Sequence, residues 1–237
     1  MRKTRKTHMI LTADIGNSTV SFALFRGKRK LAKWSLERVG LSGVASFRSA
    51  LRKCPMRSKV EGVCAVSVVP ALNRFFREAC RIELGVSPLF ATPSVIGMEM
   101  GGYPARSVGA DRIVGAYAAY ERYGRALVVV DAGSAITFDA VDDRGRFLGG
   151  AISPGPELMA LALKSMTSRL PLVRLRRVRR VIGKDTRSCI SSGIVAGAAG
   201  LVDRIVEVIA REMKGRPKVV ATCGWARLLS SRSKKIE

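Results

Sequence analysis

The chain has 237 residues, enough for one large domain or two small ones with cores of their own, and its 47% apolar content argues against disorder. No apolar run reaches the roughly 18 residues of a membrane-spanning helix, and the apolar part of the start, MRKTRKTHMILTADIG, is too short for a signal peptide. A formal charge of +24 invites a nucleic-acid partner, yet the 42 Lys and Arg residues are spread along the chain without a nucleic-acid motif, which argues against that class as the principal ligand.

Residues 1–8 read as a basic, solvated and disordered extension, or as the product of an upstream start codon, with the first strand opening at Met9. Residues 9–13 and 20–25 alternate about a D-x-G-N turn and predict a β-hairpin, and residues 29–36 suit a third strand. A helix is expected over about 41–53, then a buried strand over 60–69. Pro70 opens a helix through ALNRFFREACRIEL, and residues 86–91 suit a short strand. A helix from about Ala110 to Tyr123 follows.

The pattern then restarts. ALVVVDAGSAITFDAVDDRGRFLGGAISPG predicts strand, glycine turn, strand, tight turn at 143–145 and strand. Helices are expected at about 156–166 and 189–213, separated by the basic stretch LVRLRRVRRVIGKD, and KVVATCG forms a last strand before a short helix. The chain thus reads as two α/β halves, each opening on a β-meander, with the boundary near residues 115–125. We take the domains as 1–118 and 119–237, packed with a cleft between them.

Five cysteines without a C-x-x-C pair, and a single histidine, His8, argue against a zinc site or a histidine-based triad. Reduced thiols in a cytoplasmic protein are the plain expectation.

The two halves echo each other in Asp14-Ile15-Gly16-Asn17-Ser18 and Asp131-Ala132-Gly133-Ser134-Ala135. Each follows an apolar strand and opens a hairpin. Either alone reads as a surface turn. Together, at matching points, they predict loops whose N–H groups approach phosphate, with a carboxylate at each strand end suited to a cation. Gly109-Ala110-Asp111-Arg112 stands at a helix start. Asp111 there is either an acid favoured by the helix dipole or a base for a substrate hydroxyl; Arg112 is either surface or a bidentate anion contact.

The segments MILTADIGNSTVSFALF, VGADRIVGAYAAY, VVVDAGSAITFDAV, GRFLGGAISPG, LKSMTSRLPLV and VIGKDTRSCISSGIVAG occur in one order over most of residues 9–200. In this the chain resembles the type III pantothenate kinases of the acetate-kinase/Hsp70/actin-like superfamily. The resemblance implies an actin-like (ribonuclease H-like) two-domain α/β fold, each half a mixed sheet with flanking helices. It also implies a homodimer and the Mg-ATP-dependent phosphorylation of pantothenate, the first step of coenzyme A synthesis, with dependence on K⁺ or NH₄⁺.

Carried over by position, Asp14, Ile15, Gly16, Asn17, Ser18, Thr19, Val20 and Ser21 match the first phosphate loop, and Gly133 and Ser134 the second. Asp111 matches the catalytic base; Gly109, Ala110 and Arg112 complete the pantothenate segment; Asp131 matches the monovalent-cation ligand. Thr186 matches a pantothenate contact, although by its residues alone it reads as a helix N-cap. Tyr103 stands one place out of register with the family's Y-x-N-P tyrosine, Ser134 replaces the usual threonine, and Thr222-Cys223-Gly224 replaces T-G-G. Alternatives are an actin-like kinase for another hydroxy acid, or a non-catalytic regulatory or nucleic-acid-binding relative. The basic stretch Arg174–Arg180 is outside the family pattern and reads as a solvated loop or helix face, with attraction of anionic substrates as a second role.

Overall fold

Alternation along the first strands fixes which face is buried. In β1 (Met9–Ile15), Met9, Leu11, Ala13 and Ile15 are buried while Asp14 is exposed. In the antiparallel β2 (Thr19–Arg26), Val20, Phe22 and Leu24 join them on the same side. β3 (Arg29–Glu37) completes the meander. The computed structural model describes residues 7–236.

The chain divides into two compact units: one holds residues up to Gly97 together with Gly109–Val114, the other Met98–Val108 and the chain from Gly115 onward. In the first, the meander is followed by α1 (Val44–Arg52), β4 (Gly62–Ser67), α2 (Pro70–Leu84), β5 (Pro88–Phe90) and the short α3 (Pro93–Ile96). The sheet order is β3-β2-β1-β4-β5, with β4 parallel to β1 and β5 parallel to β4. Pro70 at the first position of α2 and Gly85 at φ +70° after its end set that helix's limits. Phe76 of α2 packs tilted on Phe47 of α1 and on Phe22, with ring centroids 5.5 and 6.2 Å away. At the rim, the nearly buried Glu83 side chain accepts from Arg48 and Arg52 of α1 and from Arg57, at 2.8, 3.0 and 2.9 Å.

Of the expected N-terminal extension, residues 1–6 lie outside the described residues. His8 is held: its Nδ1 lies 2.7 Å from Glu61, and its carbonyl accepts from Gly27 N.

The second unit repeats the plan. α4 (Ala110–Tyr123), whose residues up to Val114 belong to the first unit, is followed by β6 (Leu127–Ala132), β7 (Ala135–Val141) and β8 (Phe147–Pro154), an antiparallel meander. α5 (Pro156–Met166), α6 (Thr186–Glu212), β9 (Lys218–Thr222) and α7 (Ala226–Ser230) complete it. The order β8-β7-β6-β9, with β9 parallel to β6, matches β3-β2-β1-β4 of the first unit. Val128, Val130, Ile136 and Phe138 pack on Ala198, Ala199, Val202 and Val206 of α6. Residues 98–108 belong here because Gly101 N donates to Phe147 O and Phe147 N to Glu99 O, each at 2.8 Å.

α6 starts three residues before the expected position. Asp185 is its N-cap, accepting from Ser188 N at 3.0 Å while Ser188 Oγ accepts from Asp185 N. The N-cap reading of Thr186 is therefore corrected: Thr186 is the first helical residue. The basic stretch ahead of α6 is an irregular segment and not a helix face. Among the described residues no helix is long and apolar enough to cross a membrane, and the five cysteines are free thiols.

Candidate active site

The first loop is a turn held by its own backbone. Gly16 N donates to Thr19 O at 3.0 Å, and a Cβ at Gly16 would stand 3.0 Å from that oxygen. The turn presents Asn17, Ser18 and Thr19 to solvent. Ile15 and Val20 turn their side chains into the core, which leaves only their backbone to meet a ligand. Asp14 is exposed on the other face, directly opposite Ser21, whose hydroxyl pairs with Ser35 at 2.9 Å. Arg38 steadies the turn from outside: its N–H donates to Ser18 O at 2.9 Å and its Nε to Asn17 O.

This unit also carries the Gly109–Arg112 segment. Ile15 O accepts from Val68 N at 3.1 Å just past the end of β4, and Val68 Cγ1 lies 4.0 Å from where a Gly109 Cβ would be. The first loop and the start of the helix that bears Asp111 thus both lie near Val68, in one unit. Asp111 is exposed in the first turn of α4, and its Oδ1 accepts from Arg112 N at 2.8 Å. Gly109 O accepts from Arg112 N and Ile113 N, closing the turn beneath it. Arg112 is half-buried.

In the second unit Asp131, near the end of β6, is half-buried and faces Thr137 on β7 and Thr222 on β9 in register. The Thr137 hydroxyl donates to Asp139 Oδ2 at 3.2 Å, and Asp139 is buried. The turn at Gly133-Ser134 is pinned from three sides. Gly133 N donates to Ala135 O at 3.0 Å, Gly155 N to Ser134 O at 2.9 Å, and Trp225 N to Ala132 O at 3.0 Å. Gly155 has to be glycine, because a Cβ there would run into the carbonyls of Gly133 and Ser134. Sequence reasoning passed over both Gly155 and Asp139, although S-P-G and T-x-D stand in the quoted segments.

Thr186 and Tyr103 also lie in this unit. Thr186 is exposed beside a concavity of about 660 Å³ lined by Leu170, Gly183, Lys184 and Ile190 among others. Hydrogen bonds from Ser188 N–H and Oγ hold the neighbouring Asp185 carboxyl below its ordinary range. Tyr103 is packed edge-on against Phe147 at 5.6 Å and lies over Gly149.

A family profile described as type III pantothenate kinase matches residues 10–208. A type III pantothenate kinase of Desulforapulum autotrophicum is 37% identical, over 97% of this chain and 90% of its own length. One from Moorella thermoacetica is also 37% identical, over 93% and 89%. This chain belongs to the type III pantothenate kinases. Membership makes it an ATP-dependent kinase acting on an alcohol group, and the repeated sheet topology is that of the actin-like α/β fold. Among solved structures, a conserved Baf family protein from Campylobacter jejuni superposes with a TM-score of 0.59, over 95% of this chain and 89% of its own, at 20% identity. That likeness speaks for the fold alone.

The donors around Asp131 fit the cation that the family implies. Asp131 and its register neighbours Thr137 and Thr222 offer oxygen only. No group of three or more His, Cys, Asp or Glu side chains that could hold a metal gathers among the described residues. A single carboxylate with hydroxyl and carbonyl oxygens suits a weakly held hard ion better than a transition metal.

Proposed function

We propose that Asp111 is the base of a pantothenate kinase reaction in which the γ-phosphoryl group of ATP passes to the primary hydroxyl of pantothenate, giving 4′-phosphopantothenate and ADP. The bond between the γ-phosphorus and its bridging oxygen breaks as the substrate oxygen bonds to phosphorus, and the hydroxyl proton goes to the Asp111 carboxylate. Phosphoryl transfer demands positioning and charge neutralisation more than covalent catalysis. Backbone N–H groups and side chains of Asp14–Ser21 form the first phosphate loop, and Gly133 and Ser134 belong to the second. Asp14 holds Mg²⁺ or its waters. Asp131 would hold K⁺ or NH₄⁺, whose chemistry when bound is to supply positive charge that offsets phosphate charge.

Gly109, Ala110 and Arg112 form the pantothenate segment, with the Arg112 guanidinium for the carboxylate end. Thr186 is a further substrate contact; Tyr103, one place out of register and packed on Phe147, is the weakest member of the set. The observation that carries this reading is that the first loop and the exposed Asp111 lie in one unit, with Val68 bonded to Ile15 and close to Gly109. The enzyme works as a cytoplasmic homodimer, a reading supported by the free cysteines and by the exposed Leu158, Leu161 and Met166 along α5.

The test is formation of 4′-phosphopantothenate with ATP, Mg²⁺ and pantothenate, with and without K⁺, beside a panel of other hydroxy acids. Asp111→Asn should lower kcat by roughly 10²–10⁴-fold while the fold is kept. No turnover with a working control enzyme, or a near-normal rate for the variant, overturns the assignment.

A further inference from the structure

Five arginines stand within seven residues ahead of α6: Arg174, Arg176, Arg177, Arg179 and Arg180, all of them exposed. The reading of the kinase site uses none of them. They do not simply fan into solvent. Arg177 and Arg179 line a concavity of about 840 Å³ whose other lining residues are Val178, Ser231 and Arg232, the last two from the turn after α7. Three arginines and a serine thus line one space.

Two further observations bear on what this space can hold. Arg232 is half-buried, and its Nε is buried without a hydrogen-bond partner. Burial of that atom fixes the side chain against the protein, which leaves the terminal guanidinium nitrogens as the ones a ligand in the concavity can meet. Nor is the charge matched locally, since among the described residues no carboxylate pairs with Arg177, Arg179 or Arg232. Nearby Asp203 keeps its charge while accepting from Ser233 Oγ at 2.5 Å and Lys234 N at 3.0 Å, one carboxylate against three arginines. Like charges gathered about a shared space repel unless an anion sits among them.

We propose that this concavity is a second anion site, distinct from the phosphate loops, and that it takes a ligand with two or more adjacent phosphates, such as a nucleoside di- or triphosphate. Planar guanidinium forks match phosphate oxygens two at a time, which a lysine cannot do. With three arginines and a serine about one concavity, several adjacent phosphate oxygens can be met at once. A nucleic-acid strand calls for aromatic side chains on which bases stack, and the lining has none. A membrane surface would meet exposed cations on a flat or convex face rather than a guanidinium set back in a recess.

The test uses the full chain with inorganic tripolyphosphate as probe. Calorimetric titration should show a binding event that Arg179→Ala/Arg232→Ala weakens roughly tenfold or more. Arg179→Lys should fall between the two, and kcat and KM for ATP should stay unchanged in all. On the wild-type chain, tripolyphosphate should protect Arg177, Arg179 and Arg232 from phenylglyoxal, mapped by mass spectrometry, and leave Arg29 and Arg180 reactive. That measurement decides the matter even if the double variant fails to fold. Identical titrations, or equal protection of every exposed arginine, would overturn the proposal. So would capture of a single-stranded oligonucleotide without binding of tripolyphosphate, which would assign the arginines to nucleic acid.

Discussion

The Asp111 carboxylate occupies the space that a side chain at Gly109 would need: a Cβ built on Gly109 runs into Asp111 Oδ1. The glycine two residues ahead of the proposed base is therefore part of what orients it. Gly109→Ala should turn the carboxylate aside and lower kcat by about 10–100-fold, because displacements near 1 Å cost that much in phosphoryl transfer. KM for ATP should move little. A wild-type kcat in the alanine variant would show that Asp111 has another rotamer of equal use.

Asp131 carries a prediction that does not depend on turnover. K⁺ binding to the folded chain should raise the wild-type melting temperature, and Asp131→Ala should abolish that rise. In assays the same variant should lose most of its response to K⁺. Melting curves with matching K⁺ shifts would remove Asp131 from the cation site.

Glu83 gives a pH dependence. Hydrogen bonds from Arg48 and Arg52 hold its carboxyl below the ordinary value of about 4.5. The unfolded chain therefore takes up the proton first as pH falls. The contribution is fully present above the unfolded value and is lost as pH drops through the folded one. Glu83→Gln should be less stable than wild type at pH 7, with the gap closing towards pH 3. An equal gap at both values, measured by denaturant unfolding, would count against this account.

Lys214 closes α6 in the left-handed region at φ +50°, and its side chain is exposed. A non-glycine residue there pays a steric cost of about 1–2 kcal/mol, partly offset by the greater unfolded freedom of glycine. Lys214→Gly should stabilise the chain by roughly 0.5–1 kcal/mol, read from chemical denaturation. A loss of stability would mean that the lysine side chain contributes more than the strain costs.

Much of the architecture was legible because its signals are local. Alternation in MILTADI and TVSFALF, Pro70 ahead of an amphipathic run and the restart at ALVVVDAG all lie within a few residues, and each formed the element expected. The start of α6 was misjudged because Asp185 and Ser188 satisfy each other's backbone groups, and this reciprocal cap draws the helix back over Thr186. Gly155 and Asp139 went unnoticed because a carbonyl crossing above a glycine, or a hydroxyl reaching a buried carboxylate, leaves no periodic trace.

By itself the sequence determined the two matching halves, the repeated Asp-x-Gly turns and the family, since periodicity and motif order are properties of the chain. Only the tertiary structure decided that the Asp14 loop and Asp111, almost a hundred residues apart, lie in one unit near Val68. It alone set Arg232 beside Arg177 and Arg179. The physical reason is common to both. Strand pairing and loop packing join residues by distance in space, and side-chain chemistry acts over a few ångströms whatever the separation along the chain.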